Sequence, residues 1–337
     1  MQKSEKYYLS YLFFGWMALM MGCSRDDGFL VYEGETMGTS YYISCRCPTD
    51  ISRLISQELD FVNKGMSTYD NNSALSNFNR SREGEWHSIS DELFFVIDAG
   101  LYLSELSDGI FDITVGPLVE AWGFGIETTL NRRPESSVIE GILQDNVGYA
   151  FLDQRVPSAI RKRKPLYLDL SSLAKGYGVD KISQRLKEDG CTDFLVEIGG
   201  EVRVHGLNQA GLAWRVGIER PVKNNKPAID RILSINDTAV ATSGNYRNFH
   251  EVNGVAYSHL INARTGYPVE SPLLSVTVIM PSAMWADGYS TLISVLGVEA
   301  GLKLAEEKKL AALVFLEGEK GIEERYTSYM EPYLVSP

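Results

Sequence analysis

Leu173, Tyr177, Ile182 and Leu186 recur at helical spacing, with a serine at 171 or 172 before them and Gly190 after them. A serine cap, an apolar face and a terminal glycine predict a helix ending at Gly190. The run before it, PLYLDL at 165–170, reads as a short buried strand. Leu93, Val96, Ile97, Gly100, Leu101 and Leu103 predict a second helix over 90–106, and residues 49–64 read as another. Between them, STYDNNSALSNFNR at 67–80 is turn-rich. The second half alternates turns with strand-like runs at 194–198, 202–204, 214–218, 232–235, 239–242 and 274–279. Helices over 284–297 and 298–308 follow, then a strand near 311–316. Residues 241–271 read as a hairpin, and the basic, polar segment 221–230 as a surface loop. This mixture predicts an α+β (mixed α/β) fold, without repeats.

The first residues follow a different pattern. Lys3 and Lys6 precede the apolar run YYLSYLFFGWMALMMG, which ends at Gly22-Cys23. A positive start, a short apolar stretch and a small residue before the break describe a secretory signal. Gly22-Cys23 resembles the processing site of a bacterial lipoprotein, with Cys23 as the acylated first residue. A transmembrane anchor is the alternative; it requires about 20 apolar residues, and this run is interrupted by Ser10 and Gly15. The expected organisation is a signal at 1–22, a polar tether at 23–35 and one domain at 36–337.

The chain has 337 residues, 44% of them hydrophobic, enough for one large core or two modest ones. Its formal charge of −12 argues against nucleic acid as a partner. An anionic substrate would therefore need a cation to hold it. Beyond Cys23, Cys45, Cys47 and Cys191 form no two-pair metal spacing and read as free or partly buried thiols.

Three segments carry candidate chemistry. In DLSSLAKGYGVD at 169–180, Lys175 lies between Gly176 and Gly178 near a helix start. A cation there opposes the helix dipole, and each glycine costs about 1 kcal/mol against alanine. His259 follows an apparent strand and sits beside a Thr-Ser-Gly turn and an Arg-Thr-Gly turn, both suited to gathering backbone N–H groups round an anion. On the helix WADGYSTLISVLG, Asp287 and Thr291 share a face with Ser290 beside them. Those are hard oxygen ligands of the kind magnesium takes. Ordinary structural roles account for each segment taken singly.

Their order is more specific. MGT at 37–39, STYD and ALSNFN at 67–79, FDITVGPL and WGFG at 111–125, DLSSLAKGYGVD, EIGGE at 197–201, TSGNYR and SHLINARTGYPV at 242–269, and ADGYSTL at 286–292 succeed one another along nearly the whole chain after residue 36. Together they resemble the ApbE family of FAD:protein FMN transferases. The resemblance implies antiparallel-rich sheets flanked by helices, with an FAD site between two subdomains. It implies an enzyme that uses Mg2+ to split FAD, releases AMP and attaches FMN through a phosphoester to a threonine of a target protein.

Carried onto this sequence, the resemblance places Met37, Tyr69, Ile110, Phe111, Asp112, Asp169, Lys175 and His259 against FAD. It places the Ser172 carbonyl, Asp287, Ser290 and Thr291 on the metal. Asp287 and His259 become the catalytic candidates, the histidine as acceptor of the threonine proton. Gly176 and Gly178 would let the backbone approach the ligand. Two positions depart from the family pattern: Ser290 stands where some members carry aspartate, and Glu201 where aspartate is more common. The expected partners are FAD, an acceptor protein of a membrane redox complex, and the lipid membrane through Cys23, with no nucleic acid. The expected location is the periplasmic face of the bacterial inner membrane, within the cell envelope. An FAD pyrophosphatase and a non-catalytic flavin-binding lipoprotein are the alternatives.

Overall fold

The structure, a computed structural model, describes residues 28–125, 133–221, 229–244, 249–252 and 255–335. The signal at 1–22, Cys23 and most of the 221–230 segment lie outside the described residues. No helix among the described residues is long and apolar enough to cross a membrane.

An eight-stranded antiparallel sheet organises the chain, and its spatial order is the chain order. The strands are Leu30–Thr36, Thr39–Arg46, Asp193–Ile198, Glu201–His205, Ala239–Gly244, Leu273–Met280, Ala311–Gly318 and Gly321–Tyr326. Alternation decides which side chains meet which layer. Val196, Ile198 and Ala239 point into the cluster shared with the helices Ser52–Met66 and Ser171–Glu188. Val276, Val278, Ala312 and Val314 join the larger cluster under the helices Asp91–Leu106 and Ala283–Leu296. The opposite face, with Val202, Val204, Val240, Leu313 and Phe315, is covered by the two-stranded ribbon Trp214–Glu219 and Ile229–Ile235. A further cluster around Leu118, Trp122, Ile139 and Ile261 forms in the excursions between strands.

Three expectations need correction. The tether at 23–35 ends earlier, because Leu30–Thr36 is an edge strand paired with Thr39–Arg46. Only its last residue is buried, so its sequence shows no apolar face. The segment 165–170 is not a strand. Leu166, Leu168 and Leu170 are buried, but no neighbouring strand satisfies the backbone. Instead Asn79 Nδ2 donates to Leu168 O at 2.9 Å, Leu168 N donates to Asn79 Oδ1 at 2.8 Å, and Asp169 N donates to Ile113 O at 2.8 Å. Cys47 and Cys191 are joined in a disulfide, while Cys45 stays free and buried. Cys47 lies just past the end of one strand and Cys191 just past the end of the Lys175 helix, a proximity that their separation in sequence conceals.

Candidate active site

The helix Ser171–Glu188 begins where Asp169 Oδ1 accepts from Ser171 N at 2.8 Å. The serine predicted as its cap is thus its first residue, and an aspartate two positions earlier caps it. Ala283–Leu296 packs across this helix at Gly176, where any Cβ would collide with the Ala283 carbonyl. Asp180 fixes the start of that second helix. Its carboxylate accepts from Ser282 Oγ at 2.6 Å and from Ala283 N and Met284 N at 3.0 Å, and it also pairs with Arg203.

This crossing brings Lys175 to Asp287. Lys175 Nζ stands 3.4 Å from Asp287 Oδ2 and 3.4 Å from Glu201 Oε1. Gly176 N donates to Asp287 Oδ2 at 3.2 Å. The lysine side chain keeps 27% of its exposure, whereas the carboxylates keep 4% and 3%. A lysine unpartnered until ligand arrives is therefore not what the fold builds. Burial opposes the charged ammonium, but Asp287 and Glu201 outweigh it and raise the lysine above its ordinary range. Burial pushes Glu201 up to about 8 against the pull of Lys175. Asp287 is raised by burial too, with Lys175 and the Gly176 N–H acting the other way.

Hydroxyls gather beside Asp287. Ser243 Oγ lies 2.7 Å from Ser290 Oγ and 3.1 Å from Thr291 Oγ1, and Ser290 Oγ donates to Asp287 O at 2.9 Å. Thr242, Ser243 and Gly244 end a strand of the large sheet rather than forming the predicted turn. Among the described residues, no group of three or more His, Cys, Asp or Glu suits a metal. The donors that converge, one carboxylate with threonine and serine hydroxyls, are hard oxygens. They fit a cation such as magnesium, which takes few protein ligands and completes its shell with water and phosphate oxygens.

These groups floor a cleft of about 980 Å³ lined by Met37, Tyr69, Phe111, Asp112, Asp169, Ser172, Lys175, Glu201, Ser243, His259, Asp287 and Thr291 among others. That is the upper end of the size range for small-molecule sites. Met37 occupies a two-residue turn with Gly38, both with positive φ (51° and 74°), so its side chain reaches the lysine helix. Gly178 makes room for it, since a Cβ there would lie 2.8 Å from Met37 Cε. Both glycines thus serve packing rather than ligand approach. Tyr69 is an exposed rim residue, and the His259 ring lies edge-on to Phe124 with centroids 6.2 Å apart.

Three predicted positions differ from the rest. Ile110 does not line the cleft; its side chain packs on the core and its carbonyl accepts from Ala263 N at 3.0 Å. Asp112 lines the cleft, but both its oxygens are engaged within the protein, by Thr114 N and Oγ1 and by Tyr149 N, each at 2.8 Å. Ser290 is fully buried behind Ser243. Asn79, Asp180 and Ser243 also build the site, and the sequence alone marks no role for them. Asn79 ends the short helix Ala74–Asn79, which is the one local signal it carries. Asp180 lies mid-helix and carries none, because the helix start it caps is far along the chain.

The ApbE family model matches residues 37–314. The chain belongs to the ApbE family. An FAD:protein FMN transferase of Vibrio cholerae is 36% identical, the alignment covering 94% of this chain and 96% of the relative. A transferase of the same description from Haemophilus influenzae is 34% identical, covering 90% and 92%. The solved structure of the flavin transferase ApbE from Vibrio cholerae superposes with a TM-score of 0.84 at 36% identity, covering 91% of this chain and 99% of that one. The apo flavinyl transferase ApbE of Pseudomonas stutzeri gives 0.83 at 33% identity, covering 92% and 98%. The antiparallel-rich mixed fold is thus the ApbE fold.

Proposed function

We propose that this chain is a magnesium-dependent FAD:protein FMN transferase that joins FMN to a threonine hydroxyl of an acceptor protein and releases AMP. The observation that carries this reading is the meeting of Lys175, Asp287 and Glu201 with the Ser243–Thr291 hydroxyls on the floor of one cleft.

The acceptor oxygen attacks the phosphorus on the FMN side of the pyrophosphate. The new oxygen–phosphorus bond forms as the bridging bond to AMP breaks, and AMP leaves with the electron pair. Lys175 holds the anionic phosphates from the cleft floor, and Met37, Phe111 and Tyr69 line the walls around the flavin. His259, which also lines the cleft, takes the proton from the threonine hydroxyl at a ring nitrogen. Asp287 and Thr291, with Ser243 and the Ser172 carbonyl, would hold the magnesium ion, and Ser290 would support Ser243 from behind. When bound, that ion neutralises the pyrophosphate and the charge developing on the leaving group.

The reading extends to location: an exported lipoprotein acylated on Cys23, held at the periplasmic face of the inner membrane and acting on a subunit of a membrane redox complex. The Cys47–Cys191 disulfide supports this, because such bonds persist in oxidising compartments.

Incubating the protein with FAD, Mg2+ and a threonine-containing acceptor tests the reaction. Mass spectrometry should find one FMN phosphoester per AMP released. Free FMN and AMP beside an unmodified acceptor would assign a pyrophosphatase instead, and intact bound FAD a binding protein. Asp287→Ala should lose turnover while still binding FAD, since the flavin walls lie elsewhere in the cleft. Undiminished Mg2+-dependent turnover in that variant would move the metal away from this helix.

A further inference from the structure

Lys175 Nζ stands 3.4 Å from three oxygens: Ser171 O, Asp287 Oδ2 and Glu201 Oε1. Each contact is long for a hydrogen bond, so the ammonium is held by their sum. A divalent cation bound at this position would draw on the same Asp287 carboxylate, which lines the cleft. One carboxylate cannot hold the ammonium and the cation together without setting two like charges a few ångströms apart. Ser171 O and Glu201 Oε1 are then the contacts that the lysine keeps.

Glu201 is built for that task. It opens the strand Glu201–His205 directly after the two-residue turn Gly199–Gly200, whose φ angles of 60° and 102° suit glycine. Gly199 N donates to Ser40 O at 3.0 Å, which ties the turn to the neighbouring strand. The Glu201 side chain is buried, and its Oε2 has no hydrogen-bond partner among the described residues. Oε1 accepts from the lysine whether the carboxyl is charged or neutral.

We propose that Glu201 is a positioning residue for cation loading. It draws Lys175 off Asp287, so that the aspartate is free for the divalent cation while the ammonium stays at the cleft floor, facing the substrate phosphates. The inference rests on the transferase reading above.

Magnesium titration by calorimetry, without FAD, tests it on four variants: E201L, E201Q, K175M and the double variant E201L/K175M. E201L should weaken Mg2+ binding by about tenfold, a coupling of ordinary size between neighbouring sites. E201Q keeps an oxygen for the lysine and should lose less. In the K175M background E201L should lose nothing, because the competing ammonium is gone. An equal loss in that background would make Glu201 a direct ligand or a distant charge and overturn the proposal, as would unchanged binding by E201L. Melts of the apo proteins establish folding, and if E201L does not fold, E201Q compared in the two backgrounds decides the same question. No Mg2+ binding by the unsubstituted protein would overturn the metal-dependent transferase reading itself, and this inference with it.

Discussion

Lys175 faces two buried carboxylates, so removing it acts on stability and on ligand affinity together. Lys175→Ala leaves Asp287 and Glu201 without their cation, a change that costs about 3 kcal/mol for a buried pair. FAD affinity should fall roughly tenfold to hundredfold with the loss of a charge-assisted contact. Apo melts and FAD titrations read the two effects separately, and an unchanged melting temperature at pH 8 would contradict the pairing. The pH dependence has a definite sign. Glu201 titrates near 8 in the folded protein, above its ordinary 4.5, because burial disfavours its charge. A carboxyl raised in this way favours folding fully below its unfolded value and loses that contribution as pH rises to about 8. Apo stability should therefore decline between pH 5 and 8, and Glu201→Gln should flatten the decline. The sequence marks Lys175 as odd because a cation and two glycines crowd a helix start. It cannot show the partners, since Glu201 and Asp287 come from a strand and a helix far along the chain.

At the scale of elements, the site depends on how closely two helices cross. Gly176 lies where the lysine helix meets the backbone of Ala283 and Met284, and it also donates to Asp287. Gly176→Ala should force the helices apart, destabilising by about 1–3 kcal/mol, and should weaken Mg2+ binding because Asp287 moves with its helix. Melting and magnesium titration of that variant check both effects; full Mg2+ affinity would mean that the crossing does not set the site. The helices themselves are legible. Apolar periodicity places Ser171–Glu188, Asp91–Leu106 and Ala283–Leu296 within two residues or so of their ends. The extended segment 165–170 is less so, because leucine alternation reports burial and not pairing. Its partners are an asparagine side chain and a loop carbonyl, which no period of two encodes. The edge strand Leu30–Thr36 fails in the opposite direction: it is paired, but only Thr36 is buried, so its charges hide it.

For the whole molecule, spatial order in the large sheet follows chain order, and the long excursions between strands bring in the cleft walls. One covalent link closes the longest of these excursions. The disulfide Cys47–Cys191 spans 144 residues and ties the second strand to the end of the lysine helix. Constraining so long a loop in the unfolded chain stabilises the fold by about 2–5 kcal/mol. Cys45 does not compete for it, because burial pushes its thiol up to about 11 and keeps it protonated. The oxidised protein should therefore melt well above the reduced one, and Cys47→Ser should melt like the reduced protein and no longer respond to reductant. Such a bond persists in oxidising compartments, so its state reports on the compartment the chain reaches. Cys23→Ser should leave the disulfide intact in exported protein but release the chain from membranes in fractionation. A variant that stays membrane-integral would make the apolar run a true span, and one recovered with free Cys47 and Cys191 thiols would place the chain in a reducing compartment.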